Sequence, residues 1–194
     1  MINQFNRPDR SYDILPYDPV WAIKFKELRE RLKAVLGDIA ILVEHIGSTA
    51  VPGMAAKPQI DVIVGVNNLE DVRTLKDKMA DAGFSARGDF VGNGEEYFTE
   101  DDQAGHRLAS IHIQKIDSPE IPKQIRFREY MRLNINGDRD LYELKKQELK
   151  QLFPDSYNAY GDGKRLLLEE IHQRCKKWAE EANFHYEDYI NRDE

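Results

Sequence analysis

A Gly-Ser pair closes one apolar segment, and a lone aspartate sits inside the next. They are Gly47, Ser48 and Asp61 in the run Glu44-His45-Ile46-Gly47-Ser48-Thr49-Ala50-Val51-Pro52-Gly53-Met54-Ala55-Ala56-Lys57-Pro58-Gln59-Ile60-Asp61-Val62-Ile63-Val64. The order suits phosphoryl transfer. A glycine lets backbone N–H groups close on a phosphate, Ser48 adds a hydroxyl, and a helix start expected near Pro52 would add its dipole. A carboxylate such as Asp61 is a natural ligand for Mg²⁺. Two-metal chemistry, which stabilises both the attacking and the leaving oxygen, ordinarily wants a second carboxylate two residues on. That position holds Ile63.

A second set of residues can complete the site. In His106-Arg107-Leu108-Ala109-Ser110-Ile111-His112-Ile113 the alternation puts Ser110, His112 and Gln114 on one face of a strand. If this strand pairs with that of Asp61, His112 stands near the carboxylate as a metal ligand and catalytic partner. An Asp-His pair is softer than two carboxylates, so it suits Mn²⁺ or Zn²⁺ somewhat better than Mg²⁺. Lys57, Arg126, Lys145 and Lys164 are candidate phosphate clamps. Each residue also has a structural reading. Gly-Ser is a frequent turn, the lysines can be solvated charges, and His45, His106 and His112 taken singly can be hydrogen-bonded core histidines. Asp61 is the most telling, because an unpaired carboxylate in an apolar strand is costly and calls for a partner or ligand.

These residues need a sheet and helices to hold them. Asp18-Pro19 opens a helix carried by Trp21, Phe25, Leu28, Leu32 and Leu36 until Gly37. Ile39 to Ile46 and Gln59 to Val66 read as buried strands. Asn68 caps a second helix through Val72, Leu75 and Met79, closed by Gly83, and Phe84 begins another strand. Asp89 to Gly105, rich in Gly, Asp, Glu and Asn around Tyr97-Phe98, reads as a hairpin or mobile loop bordering the sheet. Beyond Pro119 the periodicity is helical over 126–133, 138–153 and 163–182, with Asp138 as a cap and Pro154 as a stop. The division expected is a core over 1–118 and a helical region over 119–194 packed on it.

Composition narrows the function classes. Over 194 residues with 41% hydrophobic and 32% charged side chains, the chain is expected to bury a core, and no apolar run approaches the roughly 20 residues of a membrane span. A single cysteine, Cys175, excludes an intramolecular disulfide and a cysteine zinc cluster. With no signal-like start, these features point to the cytoplasm. A net charge of −7 argues against sequence-independent nucleic-acid binding, which depends on many cations.

The run from His45 to Gly53, with Lys57-Pro58 and Ile60-Asp61, then His112, Phe127-Arg128-Glu129-Tyr130-Met131-Arg132, Tyr142 with Leu144-Lys145, and Tyr160 with Lys164, resembles the GrpB family. The likeness runs from about Tyr17 to Ala179. It implies the nucleotidyltransferase superfamily related to DNA polymerase β: an α/β (α+β) fold with a mixed sheet flanked by helices and a C-terminal helical extension. It also implies that Gly47 and Ser48 form the phosphate turn and that Asp61 is the first metal acid, with His112 on the third-acid strand. The expected function is nucleotidyl transfer from a nucleoside triphosphate, with Mg or Mn, to an unidentified acceptor. The expected partner is therefore a nucleotide or nucleotide-containing small molecule. The alternatives are a non-catalytic nucleotide- or metabolite-sensing module and a metal-dependent hydrolase using Asp61, His106 and His112.

Overall fold

The computed structural model describes residues 12–89 and 92–190. Among them five strands form one mixed sheet: β1 (Leu42–Ile46), β2 (Ile60–Val66), β3 (Ser85–Gly88), β4 (Glu96–Asp101) and β5 (Arg107–Lys115), in the order β1-β2-β5-β4-β3. β2 and β5 run parallel, and the other neighbours are antiparallel. This is the mixed α/β architecture expected.

Alternation sorts the two faces of the sheet. Val43, Val62, Val64, Ile111, Ile113 and Phe98 point to one side, where α1 (Val20–Leu36), α2 (Leu69–Thr74) and α3 (Lys76–Asp81) cover them. α1 matches its heptad-like apolar spacing; Trp21, Leu28, Leu32 and Leu36 are all buried. The Asn68 side chain accepts from the Glu70 N–H as expected of a cap, but the helix it opens breaks at Leu75.

The other face carries Asp61, Ile63, Ser110, His112 and Gln114 and meets the C-terminal helices α4 (Glu120–Leu133), α5 (Asp138–Leu152) and α6 (Tyr157–Glu181). Ile121 and Ile125 of α4 close on Leu42, Ile46 and Ile63. At Gly65 a Cβ would lie 2.6 Å from Ile116 Cδ1 and 3.2 Å from Ile121 Cδ1, so a side chain there would have to displace the ends of these two isoleucines.

Several boundaries differ from the sequence reading, α4 among them, which begins at Glu120 and not at Arg126. Gly37–Ile39 is a 3₁₀ turn, so β1 begins at Leu42. α6 starts at Tyr157 behind an Ser156 cap and runs through Gly161 and Gly163; a Cβ at Gly163 would fall 2.4 Å from Leu149 Cδ2 of α5. That glycine marks close helix crossing, not a helix start.

Asp138, expected as a cap, is the first residue inside α5. The cap position is Gly137, at φ 73°. The buried Asp138 carboxylate instead accepts from Tyr130 Oη at 2.5 Å and Arg174 Nε at 2.8 Å, tying α4, α5 and α6 together. Tyr130→Phe leaves this carboxylate one donor short, and chemical denaturation is expected to show a loss of about 1–3 kcal/mol. An unchanged midpoint would contradict the tie.

Candidate functional site

Gly47 ends β1 at φ 72°, ψ −169°, a region open to glycine and little else. No helix begins at Pro52. Ser48–Ala50 forms a short 3₁₀ turn, and the chain then dips so that Val51 and Met54 bury among Phe127, Tyr130, Met131, Tyr142 and Ile171. α4 grips the turn from behind. Arg128 Nη1 donates to the His45 carbonyl at 2.7 Å and Glu44 Oε2 at 2.5 Å, while Arg132 Nε donates to the Ala50 carbonyl at 3.0 Å. His45 stacks on Phe25 and pairs through Nε2 with Thr49 Oγ1 at 2.9 Å. Burial, then Arg128 and Arg132, push its pKa down to about 3, so it stays neutral and serves the turn.

Asp61 lies directly beneath that turn. A Cβ built on Gly47 would sit 2.7 Å from Asp61 Oδ2. Gln59 Nε2 holds the other oxygen, Oδ1, at 2.9 Å and also reaches Ser110 Oγ at 2.8 Å. Facing them across a cavity of about 270 Å³ are Lys57, Lys146 and Lys164, with Tyr142, Tyr157 and Tyr160.

Each ammonium rests on an aromatic ring. Lys57 is 4.1 Å from the centre of Tyr157, Lys164 4.3 Å from Tyr160 and Lys146 4.8 Å from Tyr142. Lys57 Nζ also donates to Tyr157 Oη at 2.7 Å; Lys146 Nζ donates to the Ala55 carbonyl and to Ser48 Oγ at 3.3 Å. Burial lowers the pKa of all three, that of Lys146 to about 7. Asp61 acts on Lys57 and Lys164 and Glu143 on Lys146, and an anionic ligand would further relieve three lysines withdrawn from water around one cavity.

A second cavity of about 230 Å³ shares Gly47, Asp61 and Gln124 with the first and continues to Ile63, Glu95, His112 and Gln114. His112 therefore borders the same cleft as Asp61, as the strand pairing required. In register, however, Ser110 faces Asp61 and His112 faces Ile63. The ring is held by Glu95, with Nδ1 to Oε2 at 2.8 Å, which leaves Nε2 as its other nitrogen. Ile63 is 1% exposed and belongs to the apolar cluster under α4, so an apolar side chain stands at the position of the second acid.

Among the described residues no three His, Cys, Asp or Glu side chains gather to hold a metal. Asp61 is the only carboxylate among the described residues lining the first cavity, so this donor set could supply one ligand to a single hard cation and does not fit two.

Three proposed residues are not brought here. Lys145 pairs with Glu148 at 3.1 Å on the outer side of α5. Its neighbour Lys146 is the one that faces inward; the spacing Tyr142, Lys146, Leu149 marks the buried side of that helix. Arg126 lines a separate cavity with Pro122, Lys176 and Tyr186. His106 lies just before β5, largely exposed, and bonds Asp102 at 3.0 Å, away from Asp61 and His112. The sequence reading missed Lys146, Gln59, Glu95 and Tyr157, and it quoted Tyr142 and Tyr160 for the family resemblance without a role in the site.

Comparison with known proteins gives a consistent family. The model of the family described as GrpB protein matches residues 11–174. The UPF0157 protein YqkA of Bacillus subtilis is 35% identical over 176 residues, covering 91% of this chain and 50% of that protein. The UPF0157 protein BH1888 of Halalkalibacterium halodurans is 32% identical over 181 residues, covering 90% and 87%. The chain thus spans half the length of the first relative and most of the second. Among solved structures, the conserved protein GrpB from Enterococcus faecalis superposes with a TM-score of 0.80 at 33% identity, covering 86% of this chain and 99% of that one.

Proposed function

We propose that this chain, which belongs to the GrpB family, binds a nucleoside triphosphate with one divalent cation and transfers the nucleotidyl group to an acceptor. The observation that carries the reading is that Lys57, Lys146 and Lys164 line one cavity with Asp61 beneath the Gly47-Ser48 turn. In this reading the lysines and the turn hold the phosphates, and Gln59 fixes the Asp61 carboxylate so that one oxygen faces the cleft. Mg or Mn on Asp61 would neutralise phosphate charge. The acceptor oxygen attacks the α-phosphorus, its bond to pyrophosphate breaks, and the acceptor proton passes to water.

Calorimetric titration of the chain with each triphosphate, with and without Mg²⁺ or Mn²⁺, tests this. Asp61→Ala is expected to abolish the metal dependence and weaken binding about tenfold or more, the scale of one charge-assisted metal contact. Absence of binding by the unaltered chain, or equal binding by Asp61→Ala, would refute it.

A second reading, a sensing module that binds without chemistry, is favoured by the burial of Ile63 among Leu42, Ile46, Ile121 and Ile125. It predicts the same binding with no pyrophosphate released. The hydrolase alternative loses support, because His106 stands apart from the other two residues.

A further inference from the structure

The cleft is divided by charge. Its first arm, around Ser48 and Tyr142, is lined by three lysines. The second is lined by Asp61, Glu95 and Glu120, with His112 and no lysine or arginine. Glu120 is already compensated by Lys123, whose Nζ reaches both its oxygens at 2.9 Å. Glu95 is not. Its residue is 1% exposed; Oε2 accepts from His112 and from Gln114 Nε2 at 3.4 Å, while Oε1 is buried with no hydrogen-bond partner among the described residues. A buried carboxylate oxygen without a donor is expensive, and that cost falls on a residue that lines this arm.

We propose that this second arm is the subsite for the acceptor, and that it takes a small amine-bearing alcohol and not a phosphorylated compound or a nucleic-acid end. The inference rests on the nucleotide reading, which places the donor's phosphates in the lysine arm. The two arms meet at Gly47 and Asp61, so a molecule in the second lies against the reacting end of one in the first. Ammonium and hydroxyl groups can donate to the carboxylates that line this arm, whereas a phosphate there would face carboxylates of its own sign. At about 230 Å³ the arm falls below the roughly 300 Å³ at which drug-sized pockets begin, which favours a compact ligand.

The test uses the full chain with inorganic tripolyphosphate and Mg²⁺ saturating the lysine arm, and titrates glucosamine and ethanolamine against the phosphate ester of glucosamine, read by saturation-transfer NMR. Glucosamine or ethanolamine is expected to bind at least about tenfold more tightly than the ester. Glu95→Gln is expected to remove about tenfold of that amine affinity while tripolyphosphate still binds. Failure of both amines to bind, equal binding of the ester, or no effect in a folded Glu95→Gln would overturn the proposal. The comparison of probes needs no variant. Amine titration without tripolyphosphate separates the two readings, since it reports the carboxylate arm even if the lysine arm binds nothing.

Discussion

Gly47→Ala is expected to weaken triphosphate binding by at least about thirtyfold and to lower the unfolding midpoint measurably. Two independent penalties act at this position. The first is conformational: φ 72° with ψ −169° costs an L side chain on the order of 1–3 kcal/mol. The second is steric, because the new methyl would sit 2.7 Å from Asp61 Oδ2 and 3.2 Å from its Cβ. Asp61 is pinned by Gln59 and by its strand, so it has little room to withdraw. The turn must shift instead, and with it the N–H groups and Ser48 hydroxyl proposed to meet the phosphates. At about 1.4 kcal/mol per tenfold, the loss of one good contact and a share of the strain reaches the stated factor. Calorimetry and thermal unfolding of the same sample measure both effects. Binding within twofold of the unaltered chain would show that the turn does not touch the ligand.

Triphosphate affinity is expected to fall as the pH rises from 7 to 9, by up to about tenfold per unit, with one proton taken up on binding. The group responsible is Lys146. Burial lowers its pKa from 10.5 to about 7 in the free protein, with the Lys164 charge acting in the same direction. A phosphate beside its ammonium favours the charged form and raises that pKa again, so above pH 7 the ligand can bind fully only by recruiting a proton. Titrations in buffers of different ionisation enthalpy count that proton directly. Lys146→Met should bind more weakly at pH 7 and lose the slope.

The stability of the unliganded chain moves in the opposite direction. Between pH 7 and 10.5 the unfolded lysine keeps its proton while the folded one has released it, so this group makes stability rise with pH through that window and fall as pH drops toward 7. Proton uptake of zero at pH 8 would remove Lys146 from the site.

Much of this arrangement could be read from residue types. The apolar repeat of α1, the lone carboxylate of β2 and the alternation around His112 are local patterns, and local patterns survive into the fold. What escaped depends on contacts between distant segments. Asp138 has the chemistry of a cap, but Tyr130 and Arg174 claim its carboxylate, which no local rule reveals. Gly163 looks like punctuation until Leu149 is found against it. Lys145 and Lys146 are adjacent and chemically identical; a rotation of about 100° per residue decides which one enters the cleft. Glu95, in a run of acids, reads as a solvated charge until β4 and β5 pair and place it behind His112.

The dip of Val51 and Met54 into the C-terminal helices has a consequence for how ligands come and go. The segment that carries the Gly47-Ser48 turn is also the peg that joins sheet to helices, with Arg128 and Arg132 fastened on either side of it. Spreading the cleft would extract two fully buried side chains, at about 1.5–3 kcal/mol each. Traffic through the site must therefore depend on side-chain movement at the rim, which admits compact molecules and shuts out bulky ones. Heat that loosens the peg should erase binding and fold in a single transition.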